Sequence, residues 1–378
     1  MEILPRTLGT RPRLACEVRA EGVVAARAED ASAVLSAVSR VPLADGVVAP
    51  RLSAVDAGVT VASPAGNSAA SGVVGGVGGG AAGRAAMVAA VRSALEAVCL
   101  KTREVTLVVP DAAVRVLLLD FDELPAKAAE ALPVVRFRLK KLLPFDADDA
   151  AVSYQVMATA KESIQVMAVA MPHEVLADYE SVVREAGFEP GAVLPSTLAA
   201  LAGLDEGEMP RLVVNAGREG VTTAIVKGGV LLLHRTVDLG GDLRSELRAA
   251  SASAEPAREQ AAETSIAAIA ARMAAAGSQA PVSQPEMVAE SSLQAPASEV
   301  AQAVSVAAAY FEDTLETTPA VVLAAGTLGA EALTAVLDEA YVGPLAVQEM
   351  MGRQMLGDGA SSAVPLGWLA GVRGALAN

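Results

Sequence analysis

Residues 105–157 read VTLVVPDAAVRVLLLDFDELPAKAAEALPVVRFRLKKLLPFDADDAAVSYQVM. Runs rich in Val and Leu at 104–109 and 113–119 predict two strands. The span 126–143 predicts a basic amphipathic helix that ends at Leu143-Pro144-Phe145-Asp146. Further strands are expected at 151–158 and 163–170, and a helix at 172–186. Pro125 and Pro172 stand near the two helix starts, where a missing amide proton costs little. Gly187 serves as a C-cap. A strand at 189–194 and a helix at 196–203 follow. The order β-β-α-β-β-α describes a compact α+β module.

Toward the N-terminus, residues 13–28 (RLACEVRAEGVVAARA) read as a β-hairpin, with Gly22 supplying the turn. Residues 44–83 are turn-rich and include the glycine-rich stretch 71–83, which resists ordering because of its backbone entropy. That stretch lacks the Gly-Lys-Ser/Thr ending of a phosphate-cradling loop. Met87, Val91, Leu95 and Val98 recur at helical spacing and predict a helix over 85–98. Toward the C-terminus, residues 205–210 (DEGEMP) form a linker. Strands are expected at 211–215, 221–226 and 230–236, with Gly240-Gly241 opening a helix at 242–249. Segment 251–298 is rich in Ala, Ser, Glu, Gln and Pro, with a helix over 257–276 and a disordered arm over 277–297. A helix at 299–316, a strand at 320–324, a glycine turn at 326–329, a helix at 329–340, a short strand at 345–348 and a final helix at 365–376 complete the chain.

The 378 residues suggest two or three domains. Hydrophobic residues make up 53%, but mostly as Ala and Val. No run of about 18 apolar residues occurs, which argues against a transmembrane helix. The first residues lack the basic start and apolar core of a signal peptide, so a cytoplasmic location is expected. A net charge of −15 argues against nucleic acid as a partner. The exception is local: Lys127, Arg136, Arg138, Lys140 and Lys141 face Glu130 alone. This is either a solvated helix face or a docking surface for an acidic partner or a lipid headgroup layer. Cys16 and Cys99 are too few for a disulfide framework or a thiolate zinc site and read as core residues. His173 and His234 lie beside no nucleophile signature and read as surface or capping residues.

Two halves that each begin with a strand hairpin and a glycine turn, with a module inserted in the first, resemble the actin-like ATPase superfamily. Within it, Val108-Val109-Pro110-Asp111, Leu124-Pro125 at a helix start and Leu142-Leu143-Pro144-Phe145 before the Tyr154 strand closely resemble the PilM family of type IV pilus assembly. The resemblance covers roughly 13–249 and 299–376, is closest over 105–205, and excludes 251–298. It implies an α/β, actin-like (ribonuclease H-like, duplicated) fold. The divisions would be a first half at 1–103, an inserted module (subdomain 1C) at 104–186, a return at 187–204, and a second half at 211–378. It also implies recruitment to the inner membrane through the N-terminal peptide of a PilN-type protein, received in a groove beside the module. Pilus motor or platform proteins and a second copy of the chain are further implied partners. Arg136, Phe137, Lys140, Leu143 and Phe145, clustered at the end of the basic helix, are the candidate partner-binding residues. Their bland reading is that Phe137 and Leu143 are core and the cations are solvated.

The same resemblance implies ATP and Mg²⁺ held between glycine hairpins, and here the residues depart from the pattern. In the first hairpin Glu17 stands for an Asp, Arg19 for a Gly and Val24 for a Lys, while Glu21 adds negative charge beside the expected phosphate. In the second, Asn215 replaces the carboxylate, while Gly217 and Thr222 persist. Gly240-Gly241 match the glycine turn of the next helix. In the third turn, Leu323-Ala324-Ala325-Gly326, only Gly326 remains. Losing metal-directing carboxylates removes charge stabilisation that phosphoryl transfer needs. The expectation is a structural adaptor without useful ATP hydrolysis, with nucleotide binding left open. The alternatives are an active actin-like ATPase, a GspL-like type II secretion component and a filament former.

Overall fold

The computed structural model describes residues 12–30, 32–44, 47, 81–161, 163–205, 207–218, 220–239, 295–340, 342, 345–358, 360 and 363–377. Strands β1 (Leu14–Arg19), β2 (Gly22–Ala28) and β3 (Leu35–Pro42) form an antiparallel meander. Helix α1 (Ala81–Glu96) leads to β4 (Glu104–Val109). The inserted module follows as β5 (Arg115–Phe121), α2 (Ala128–Leu139), β6 (Ala150–Thr159) and β7 (Ile164–Pro172). Then come α3 (His173–Glu185), β8 (Glu189–Pro195) and α4 (Ser196–Ala202). The second half contains β9 (Arg211–Ala216), β10 (Gly220–Lys227), β11 (Val230–Asp238), α5 (Ala295–Leu315), β12 (Val322–Gly326), α6 (Gly329–Glu339), β13 (Val347–Glu349) and α7 (Ala370–Leu376).

The two large sheets share one plan. Their orders are β3-β2-β1-β4-β8 and β11-β10-β9-β12-β13. Each is an antiparallel meander continued by two parallel strands. The parallel centre explains the sequence: β1, β4 and β9 are covered on both faces and read as nearly unbroken apolar runs. The same physics places β4. It opens the expected module 104–186, yet it pairs with β1 and β8, so the module's own sheet is three-stranded, β5-β7-β6. Likewise α3 packs on α1: Arg84 reaches Ser181 and Glu185, both at 2.7 Å, and Arg92 donates to the Glu185 and Ala186 carbonyls at the end of α3.

The expected hairpin 13–28 is present, with Gly22 at φ 157° and too close to Val41 O, at 2.6 Å, for any Cβ. Strand β3 was not expected. Helix α1 starts four residues before the expected position, taking in the last residues of the glycine-rich stretch; residues 71–80 lie outside the described residues. Helix α2 stops at Leu139, and Lys141–Leu142 form a turn. The helix expected over 242–249, the helix over 257–276 and the arm to 294 also lie outside the described residues, whereas 295–297 open α5. The final helix begins as a 3₁₀ turn, Leu366–Leu369, before α7.

That C-terminal segment crosses back to the first half. Trp368, Leu369, Val372 and Leu376 are buried against Ala15, Val24, Leu35 and Val108 on one face of the first sheet. Each such side chain contributes roughly 1.5–3 kcal/mol by leaving water. A separate cluster joins three parts: Met157 and Met167 from the module, Leu198 and Leu201 from α4, and Val213, Ala224 and Leu231 from the second sheet. The module is therefore packed against both halves.

Candidate functional site

The turns of both sheets meet at one cleft. Glu17 lies two residues before the end of β1 with a fully buried side chain, facing Ser196 of α4 and Gly371 of α7. It pairs with Arg19 Nη2 at 2.5 Å and accepts from Ser196 Oγ at 2.7 Å. Arg19, nine-tenths buried, donates to Ser196 Oγ at 2.8 Å and through both terminal nitrogens to Asn215 Oδ1 at 3.3 Å. Asn215 Nδ2 reaches Ser196 Oγ and Thr197 Oγ1, both at 2.9 Å, and Asp111 Oδ2 at 3.4 Å. Asp111 in turn accepts from the Thr197 amide and hydroxyl. The amide orientation follows from donor arithmetic: both hydroxyl protons are committed to carboxylates, so Nδ2 must face the hydroxyls and Oδ1 the guanidinium.

Glu21, in the turn after Arg19, crosses to the second half. Its Oε1 accepts from the Arg218 amide at 2.6 Å and from the Thr327 hydroxyl. Gly217 leaves room for it: a Cβ there would lie 3.3 Å from Glu21 Oε1. Gly326 is equally constrained. Its φ is 89°, and a Cβ would lie 2.4 Å from Ala216 O and 2.5 Å from Asn215 Oδ1. Thr222 lines the same cleft and shares a 3.0 Å hydrogen bond with the Thr236 hydroxyl. Gly240 and Gly241 lie outside the described residues.

Burial pushes the Glu17 carboxyl above its ordinary value, with Arg19 and the Ser196 hydrogen bond opposing. The expectation for His234 is corrected. Its side chain is 3% exposed, with Nε2 at 3.9 Å from Asp111 Oδ1. Burial holds its pKa below 6.5, against the pull of Asp111, so it is neutral near pH 7. The alternation of β11 turns this position inward, a direction that composition around a lone histidine does not reveal. His173 is exposed at the start of α3. Cys16 is buried, whereas Cys99 is only partly buried.

Sequence reasoning brought Glu17, Arg19, Asn215, Gly217 and Gly326 to the site, and they do converge. It missed Asp111, Ser196, Thr197 and Thr327. The available signal was position: Asp111 follows β4, Ser196-Thr197 follow β8, and Thr327 follows β12, so all sit at carboxyl ends of parallel strands, where open α/β sheets bind ligands.

Among the described residues Arg19 and Glu21 occupy the cleft, Asn215 carries no charge to hold a hydrated cation, and about 70 Å³ of water-accessible volume remains. Small-molecule sites run to about 300–1,000 Å³. Among the described residues, no cluster of His, Cys, Asp and Glu has the geometry for a metal ion.

The candidate partner residues separate on the module. Arg136 donates to the Ala147 and Ala150 carbonyls, the latter at 3.0 Å, and Lys140 pairs with Asp148 at 2.5 Å. Leu143 packs in the module core, and Phe145 packs in both that core and the core of the first half. Phe137 is 66% exposed, with Lys141 Nζ 5.7 Å from its ring centre. The reading of Phe137 as core is thus overturned, because Ala131, Val135 and Leu139 form the buried stripe of α2.

No protein-family model matches the chain, and no curated protein matches it. Solved structures do. A chain of the PilM-PilN type IV pilus biogenesis complex is 17% identical, with 97% of this chain and 98% of that chain covered at a TM-score of 0.62. The ethanolamine utilization protein EutJ from Carboxydothermus hydrogenoformans is 13% identical, covering 99% and 91% at 0.42. The cytoplasmic domain of EpsL, an inner membrane component of the type II secretion system of Vibrio cholerae, is 14% identical, covering 60% and 70% at 0.34. Resting on the first of these and on two sheets of one plan with a module between them, the assignment is an actin-like fold, similar along nearly its whole length to a chain of the PilM-PilN complex.

Proposed function

We propose that this chain is a structural adaptor of the type IV pilus kind, docking the N-terminal cytoplasmic peptide of a PilN-type inner-membrane protein on its inserted module and working without ATP turnover. The observation that carries the reading is the full-length likeness to a chain of the PilM-PilN complex. The filled cleft supports the second half of it, since a network of the chain's own polar side chains, with Glu17 Oε2 and Arg19 Nε left without partners, stands where groups that hold a nucleotide are expected.

The docking face is the exposed end of α2. Val134, Phe137 and Leu142 present apolar surface there, flanked by Arg138 and Lys141. Phe137 is the one exposed member of the five phenylalanines. A large exposed aromatic beside cations is the composition of a binding anchor. Phe145, at the seam of module and first half, orients that face relative to the rest of the fold. No helix among the described residues is long and apolar enough to cross a membrane.

The test is a calorimetric titration of the full chain with the N-terminal cytoplasmic peptide of a PilN-type protein from the same organism. Saturable binding is expected, and Phe137→Ala is expected to weaken it by about tenfold or more, as for an interface anchor. Absence of binding, or equal binding by the variant, would overturn the reading.

A further inference from the structure

Donors from two turns of the second half point at one spot in the cleft. One is the Arg218 amide in the β9–β10 turn, and the other is the Thr327 hydroxyl after β12; both meet Glu21 Oε1. The acceptor comes from the other half of the molecule, from the β1–β2 turn, and the Glu21 residue is only 8% exposed. Gly217 keeps the spot open, and Arg19 Nη1 lies within 3.9 Å of where a Gly217 side chain would start. A turn amide and a hydroxyl converging on one point are the kind of donors that bind small oxyanions, and the Arg19 guanidinium close by, itself held by Glu17, Ser196 and Asn215, adds positive charge. Nothing in the β1–β2 hairpin requires a carboxylate at position 21: the strand register closes at Arg19 and Gly22, and the Glu21 carbonyl takes the local hydrogen bond from Leu43.

We infer that Glu21 is a tethered anion seated in an oxyanion site of the second half, so that the protein carries its own ligand there and is clasped across the cleft by it. The site accepts a small oxyanion, of which inorganic phosphate is the simplest, once the carboxylate is removed. It does not accept a nucleotide, because Arg19, Glu17, Ser196 and Asn215 still fill the adjoining space.

The full chain and its Glu21→Ala variant are compared in chloride and in inorganic phosphate at equal ionic strength. The variant is expected to melt about 2–4 °C below wild type in chloride. About 20 mM phosphate is expected to recover most of that loss, while leaving wild type unmoved. Phosphorus NMR line broadening supplies a second readout: phosphate broadens with the variant and stays sharp with wild type. Glu21→Gln keeps an acceptor oxygen in the seat and is expected to ignore phosphate. Should Glu21→Ala prove too unstable to purify, Glu21→Thr is read in the same way. A folded variant that neither regains stability in phosphate nor broadens its signal overturns the inference, as does equal broadening by wild type. Neither result touches the peptide-docking proposal, which fails only in its own titration.

Discussion

At position 215 one substitution reorganises its surroundings. A carboxylate there would face Glu17, Asp111 and Glu21 across the same cleft. The uncharged amide instead donates to two hydroxyls and accepts from Arg19. Asn215 Oδ1 also fixes its neighbour, because any side chain at Gly326 would collide with it. The change at 215 was visible in the sequence, but its partners were not: Ser196 and Arg19 are 177 residues apart and meet only through the fold. His234 illustrates the same gap. Its pKa is held below 6.5 by burial, so the unfolded chain takes up a proton before the native one does. Stability from this residue is complete above pH 6.5 and is lost as the pH falls from there toward the folded value. Glu17 works in the opposite sense: its folded pKa is raised, so its contribution declines as the pH rises above 4.5 toward its folded value. Comparing wild type with His234→Gln cancels the Glu17 effect. Urea unfolding at pH 7.5 and 5.5 is expected to show a smaller acid-induced loss in the variant, and an equal loss would contradict the buried neutral histidine.

Among the elements, α4 and α7 show how small residues decide packing. A Cβ on Gly374 would lie 1.8 Å from the Ala199 carbonyl oxygen, and one on Gly371 would lie 2.4 Å from Glu17 Oε2. The two helices touch backbone to backbone at Gly374, and Gly371 leaves room for the Glu17 carboxylate that accepts from Ser196. Gly374→Ala is expected to cost about 1–3 kcal/mol or more, through displacement of α7 and loss of burial around Trp368. The denaturant midpoint measures it, and an unchanged midpoint would refute the close approach. The Ala/Gly/Leu composition of 365–376 announced a helix, since periodicity is local. It did not announce which helix would cross to the first half. Helix α2 shows the converse. Its basic character was legible, whereas its end at Leu139, four residues before the expected Leu143, and the role of each cation were not. Arg136 ties down carbonyls and Lys140 pairs with Asp148, while Arg138 and Lys141 remain with Phe137 on the open face.

Across the whole molecule, the cluster around Met157, Met167, Leu198 and Val213 binds the module to both halves, and the polar network together with Glu21 closes the cleft between them. Opening for a nucleotide would break all of these contacts at once. ATP with Mg²⁺ at about a thousandfold above a micromolar Kd would stabilise a binding protein by roughly 4 kcal/mol. No change in Tm is expected here, and a magnesium-dependent rise would show that the cleft opens. The sequence by itself determined the actin-like fold class, most of the strand and helix order outside β3, and the residue identities at the hairpin turns. These follow from short-range periodicity, turn chemistry and residue identity, all of which a linear chain displays. Only the tertiary structure decided that β4 joins the first sheet, that His234 is buried against Asp111, that Phe137 stands in solvent, and that Glu21 reaches across the cleft. Each of these depends on what lies opposite a side chain from a distant segment, and pairing across 197 to 306 residues, as Glu21 makes with Arg218 and Thr327, leaves no local pattern to read.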